Sequence, residues 1–185
     1  CGLLIAGGPL QRLEQDELVK IDRYLARGGR MLALLNIQTR LPVGLEQLLL
    51  KWNVQVGLDW VSDARGAQAN NSYIFLTSNF GTHPIVRPLL GSTVKLVGPR
   101  SVSQRPGQQP SADAPKITEI LFTSSAGQLI EGSVTNARVM KEGSIPLAVA
   151  GERGGIQGVK TEGGSTRFVV VGESLFVSND FISDL

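Results

Sequence analysis

Side chains that carry chemistry are scarce in this chain. Among 185 residues there is one cysteine, Cys1, and one histidine, His83. A lone thiol cannot close an intramolecular disulfide. One imidazole cannot supply the several nitrogen or sulfur ligands that a catalytic zinc or iron site takes. Charge is sparse as well: 18% of residues are charged, and 18 basic against 16 acidic side chains leave a net charge of +2. No run of like charges forms the electrostatic stripe that holds nucleic acid, and Arg100, Arg105 and Lys116 are scattered over a proline-rich stretch. Apolar runs such as Met31–Leu35 are short, whereas spanning a bilayer takes roughly 18 residues. The opening Cys1-Gly2-Leu3-Leu4-Ile5-Ala6 has neither the charged start nor the cleavage segment of a signal peptide. It reads as a strand entered abruptly, as expected of one α/β domain over 1–185 cut from a longer protein.

What is present suits a packed core, with 42% apolar residues. Leu3–Ala6, ended by Gly7-Gly8-Pro9, has the pattern of a buried parallel strand. Leu18, Ile21 and Leu25 recur at helical spacing, acidic residues crowd the first turn, and Gly28-Gly29 stop the helix. Arg30–Leu35 is a second strand, so the first 35 residues spell a βαβ unit and a parallel sheet. Leu45–Trp52 predicts a short helix. Strands are expected at 53–57, 60–62, 73–76, 117–122, 145–150 and 168–171, with an exposed one at 93–97. A helical turn is expected to open at His83-Pro84. Residues 98–116, with four prolines, read as a loop, and 151–164 as a hairpin or surface loop. Ser174 reads as the cap of a last helix or turn.

The sharpest catalytic candidate is Gly172-Glu173-Ser174-Leu175, which follows the strongest strand. A nucleophile elbow needs that placement, and the motif is one conservative change from the Gly-Asp-Ser-Leu of lipase-like hydrolases. A serine needs a base, however, and no histidine follows. Phe176 also stands where an α/β-hydrolase elbow has its second glycine. Gly7-Gly8-Pro9 matches no phosphate-binding fingerprint, and Gly151-Glu152-Arg153-Gly154-Gly155 precedes no helix pattern. No cofactor is expected. In an open parallel sheet, ligands meet the crevice beyond the strands' carboxyl ends. That rim is expected to hold Gly7, Gly8, Asn36, Gln38, Asn79, Glu173 and Ser174, small and polar residues suited to hydrogen bonding; they read equally well as ordinary loop residues.

An ordered set of motifs resembles one family. It comprises Leu3-Leu4-Ile5-Ala6-Gly7-Gly8-Pro9, Ile21-Asp22-x-Tyr24-Leu25-x-x-Gly28-Gly29-Arg30-Met31-Leu32, Leu45-x-x-Leu48-Leu49-x-x-Trp52-x-Val54-x-Val56, His83-Pro84-Ile85, and Arg167-Phe168-Val169-Val170-Val171-Gly172-Glu173-Ser174-x-Phe176. Together they are similar to the auxiliary, substrate-binding-like component of gliding-motility-type ABC transport systems. That family usually has Gly-Asp-Ser-Asp-Phe where this chain has Glu173 and Leu175 in place of the two acids. The resemblance implies a flavodoxin-like or glutamine-amidotransferase-like domain, a mostly parallel sheet with flanking helices and an extra β-rich portion toward the C-terminal half. It also implies that the amidotransferase cysteine and histidine are missing. In the family this domain stands on the periplasmic side of the inner membrane, between transmembrane helices that these 185 residues do not contain, beside an ABC permease and ATPase. The expected function is non-catalytic binding of a partner subunit or ligand. A serine hydrolase using Ser174 and a carbohydrate-binding or scaffold domain are the alternatives.

Overall fold

A computed structural model describes residues 1–36, 42–107, 114–132, 136–154 and 164–178. The first part of the chain forms β1 (Leu4–Gly7), α1 (Gln15–Ala26), β2 (Arg30–Leu34), α2 (Leu45–Lys51), β3 (Val54–Val56) and β4 (Trp60–Asp63). Next come β5 (Ala67–Gln68), β6 (Asn71–Thr77), β7 (Asn79–Phe80), a 3₁₀ turn at Pro84–Leu89, β8 (Val94–Val97) and β9 (Val102–Gln104). The rest is β10 (Lys116–Phe122), β11 (Gly127–Glu131), β12 (Arg138–Glu142), β13 (Pro146–Arg153), β14 (Thr166–Val171) and a 3₁₀ turn at Leu175–Val177. No helix among the described residues is long and apolar enough to cross a membrane.

The main sheet has six strands in the order β1-β2-β14-β13-β10-β7. Its β1–β2 and β2–β14 pairs are parallel, and the remaining three pairs are antiparallel. The expectation of a mostly parallel sheet is therefore wrong: the sheet is mixed. A parallel pair needs a long crossover, which α1 supplies between β1 and β2, whereas β13 and β14 are consecutive and pair as a hairpin. Three further sheets, β12-β11-β4, β3-β9 and β5-β6-β8, are wholly antiparallel.

Both helices lie on one face of the main sheet. Met31 and Ala33 of β2 and Phe168 and Val170 of β14 pack there with Leu25 of α1 and Leu45, Leu48 and Leu49 of α2. Trp52 ends α2, meets Phe168 edge-on at 6.0 Å between ring centroids, and donates its indole N–H to Asp22 of α1 at 2.8 Å. Thr166 at the start of β14 donates to the Leu25 carbonyl at 2.7 Å, closing the helix against the strand. On the opposite face Ala148, Ala150, Ile120 and Leu121 pack against Val61, Phe75 and Leu96 from the smaller sheets and Val86 from the 3₁₀ turn. Leu96 is fully buried, so β8 is not the exposed strand its alternation suggests.

The stretch 98–116, expected as a loop, contains a strand among its described residues. Val102 and Arg100 are buried, β9 pairs antiparallel with β3, and the Pro99 carbonyl accepts from the Val61 N–H at 2.9 Å. Residues 108–113 of that stretch lie outside the described ones. Likewise β13 continues to Arg153, into the segment read as a loop, and residues 155–163 lie outside the described ones.

Arg100 ties the parts together. Its Nε donates to the Gly57 carbonyl at 2.7 Å and its Nη1 to Glu46 Oε1, at the start of α2, at 2.9 Å. Its backbone N–H donates to the Gly172 carbonyl at 2.8 Å, and a Cβ on Gly172 would stand 1.9 Å from the Arg100 oxygen. Removing one partner of a buried pair leaves an uncompensated charge. Arg100→Ala is expected to cost roughly 3–5 kcal/mol in urea or guanidinium unfolding; a loss below about 1 kcal/mol contradicts this role.

Candidate functional site

The crevice beyond β1, β2 and β14 brings four of the expected residues together. Gly8 follows β1 with φ +62°, a conformation that favours glycine, and its N–H donates to the Leu34 carbonyl at 2.9 Å. A Cβ on Gly8 would lie 2.5 Å from Ser174 Oγ and 3.7 Å from Asn36 Nδ2, so the Ser174 hydroxyl and the Asn36 amide both stand close to the Gly8 backbone. Glu173 sits beside them and is buried. Gly7 ends β1, exposed, with open space around it. Asn79 does not join the group. It lies in β7, separated from β14 by β13 and β10, and donates to the Thr123 carbonyl at 3.0 Å as a turn-holding side chain. Gln38 lies outside the described residues.

Glu173 is the electrostatically unusual residue here. One of its carboxylate oxygens accepts the Leu175 N–H at 2.6 Å and the other the Phe176 N–H at 3.0 Å. Glu173 thus caps the 3₁₀ turn at Leu175–Val177, the role expected of Ser174, whose side chain makes no capping hydrogen bond. A short 3₁₀ turn stands where a longer helix was one expectation, and residues 179–185 lie outside the described ones. Burial pushes the Glu173 carboxyl up from 4.5 to about 7, against the opposing pull of the backbone N–H donors.

Ser174 lacks the setting of a nucleophile. Its backbone at φ −127° and ψ −13° is not the strained elbow that thrusts a catalytic serine into a cleft. Both Glu173 oxygens accept hydrogen bonds from backbone N–H groups, and among the described residues no hydrogen bond joins its carboxyl to the Ser174 hydroxyl. His83 is at the other end of β14, where it helps line a cavity with Arg30, Glu152 and Arg167. Its Nδ1 accepts the Ile85 N–H at 3.2 Å, capping the turn at Pro84–Leu89 as its position beside Pro84 predicts. The strand-end N–H groups of Gly8 and Leu35 bond to the carbonyls of Leu34 and Val171, which removes them as oxyanion or phosphate donors. Among the described residues no three His, Cys, Asp or Glu side chains converge on a point where a metal ion could sit.

The cavity beside His83 was not anticipated. It measures about 580 Å³ and lies on the sheet face opposite the helices, over Leu32, Val169 and Ala150, with Ile85 on one wall. A second cavity of about 180 Å³ shares Ile85 and Val169 and continues toward Val171 and Phe176. The available signal is the alternation Arg167-Val169-Val171 against Phe168-Val170 in β14, which assigns the two sets to opposite faces.

No family model and no curated protein sequence matches the chain. Its structure is similar to a solved structure of the mmIFT52 N-terminal domain, with a TM-score of 0.66 and 17% identity, over 98% of this chain and 70% of that one. The two share the fold: a mixed α/β sheet with few helices and small antiparallel additions.

Gly8→Ala is expected to cost about 1–3 kcal/mol, through its positive φ and the contact with Ser174. Gly7→Ala, with nothing near its Cβ, should stay within about 0.5 kcal/mol, and matched chemical denaturation curves compare the two. A second expectation concerns pH. Because Glu173 holds its proton more tightly in the folded chain than in the unfolded one, stability falls as pH rises from about 4.5 to about 7 and levels off above that. Asp59, also raised by burial, contributes in the same direction. Melting temperatures across this window should decline for the native chain and decline less for Glu173→Gln; equal slopes contradict the assignment.

Proposed function

We propose that this chain is a non-catalytic binding domain of the kind that serves gliding-motility-type ABC transport systems on the extracytoplasmic side of the membrane. In this reading it engages a partner subunit, the permease or the ATPase assembly, or a small ligand. The crevice of Gly8, Asn36, Glu173 and Ser174 is its contact point.

The observation that carries the reading is the state of Ser174. A hydroxyl at a strand-to-turn corner needs a base and an oxyanion hole before it can attack. Here the neighbouring carboxylate turns to two backbone N–H groups and not to the Ser174 hydroxyl, the imidazole is at the far end of β14, and the nearby strand-end amides are satisfied. What is left is a polar notch that can exchange hydrogen bonds. The ordered motifs from Leu3 to Phe176 support the transport setting, and the shared α/β fold is compatible with it.

Two measurements test this. A fluorophosphonate probe is expected to leave Ser174 unlabelled; stoichiometric labelling that disappears in Ser174→Ala overturns the non-catalytic reading. The full-length protein, expressed with the subunits encoded beside it, is expected to co-purify with an ABC permease and ATPase. Purification without them, or the absence of such neighbours in its gene cluster, overturns the transport setting.

A further inference from the structure

The main sheet is covered unevenly. On its helix-free face β13, β10 and the Val169–Val171 part of β14 pack against the elements that include the smaller sheets, but no residue of β1 or β2 does. Register places Ile5, Leu32, Val169 and Ala150 in one row across β1, β2, β14 and β13. Ile5 is 58% exposed, Leu3 50% and Ile85 49%. Leu3 and Ile85 line the cavity of about 580 Å³, and Ile5 is paired with Leu32, which also lines it, so the apolar surface is contiguous and not a scatter of exposed residues. The next row toward the amino ends of β2 and β14 is charged: Arg30, Arg167, Glu152 and Lys116. Arg167 pairs with Glu152 at 3.0 Å, and Arg30 has no acidic partner among the described residues. Three cations against one carboxylate leave this rim positive.

β1 is also an edge strand. Residues 1–8 contain no charge and no proline, and the β1–β2 register runs without a bulge, so among the described residues the one usual protection of this edge is its shortness, four residues. Such an edge takes up another strand readily.

We propose that the β1 edge and the apolar face beside it dock a segment of a separate polypeptide: a strand added to β1, followed by an amphipathic helix whose carboxylates meet Arg30 and Arg167. This rests on the reading of the chain as a partner-binding domain and adds a surface away from the crevice. The free backbone edge favours a polypeptide over a lipid surface, because lipid cannot complete a ladder of N–H and C=O groups. The positive rim selects an acidic segment as the occupant.

The test uses the natural full-length protein in its own cells, with photo-cross-linking benzoylphenylalanine at position 5 or, separately, at position 85. Both residues are about half exposed, so either substitution spares the core. The cross-linked peptide is identified by mass spectrometry. The expected product is an acidic amphipathic segment of a different chain, its yield reduced roughly tenfold by Arg30→Glu with Arg167→Glu. A product from the same chain, from a second copy or from lipid overturns the proposal, and so does no product, or a yield indifferent to charge reversal. Gly8→Ala serves as the control. A cross-link that survives it while subunit co-purification is lost separates failure at the crevice from failure of this face.

Discussion

One buried cation holds the architecture together. Arg100 reaches α2 through Glu46, the turn before β4 through Gly57, and the end of β14 through its own backbone. The close approach to Gly172 fixes where β14 stops, and the next two residues are Glu173 and Ser174. The notch at the strand ends therefore inherits its geometry from an ion pair on the segment 98–104. A charge this deep is tolerated because Glu46 compensates it, and Glu46 is itself steadied by the Gly44 N–H at 3.1 Å. The same segment that looked like an interruption of the domain is what closes it.

The local elements could be read from the chain where one physical signal dominated. α1 announces itself by apolar spacing, acidic first turn and glycine stop, and β1, β2 and β14 by continuous apolar runs. Once the βαβ unit is read, Gly8, Asn36, Glu173 and Ser174 follow as strand-end residues. The failures occurred where tertiary context decides. β12 is exposed along its whole length and shows no burial pattern. β11 is short and mixed in character. Arg100 has the composition of a loop residue, and only the arrival of Glu46 makes its burial possible. Asn79 belongs to the rim only if the strand at 73–76 lies in the main sheet; that strand, within β6, lies in the β5-β6-β8 sheet, and Asn79 itself pairs with β10.

The continuous apolar runs also misled in one respect. A run such as Leu3–Ala6 implies burial on both sides, yet Leu4 and Ala6 meet the helices while Leu3 and Ile5 stay open. The composition of β1 is that of an interior strand placed at a boundary. Chemistry at one end of β14 and apolar surface at the other give the molecule two distinct regions of interest, joined by a single six-residue strand.

That strand has a consequence for how the protein is made. β14 inserts between β2 and β13, and its Thr166 bonds to Leu25, 141 positions earlier in the chain. During synthesis α1, β1 and β2 can associate early because their contacts are local. The place reserved for β14 stays vacant until residues 166–171 have left the ribosome, so both edges of the β1–β2 pair stand unpaired during that interval. The crevice, assembled from residues 8, 36, 173 and 174, therefore forms only after β14 arrives, while the outer edge of β1 gains no neighbouring strand from the described residues.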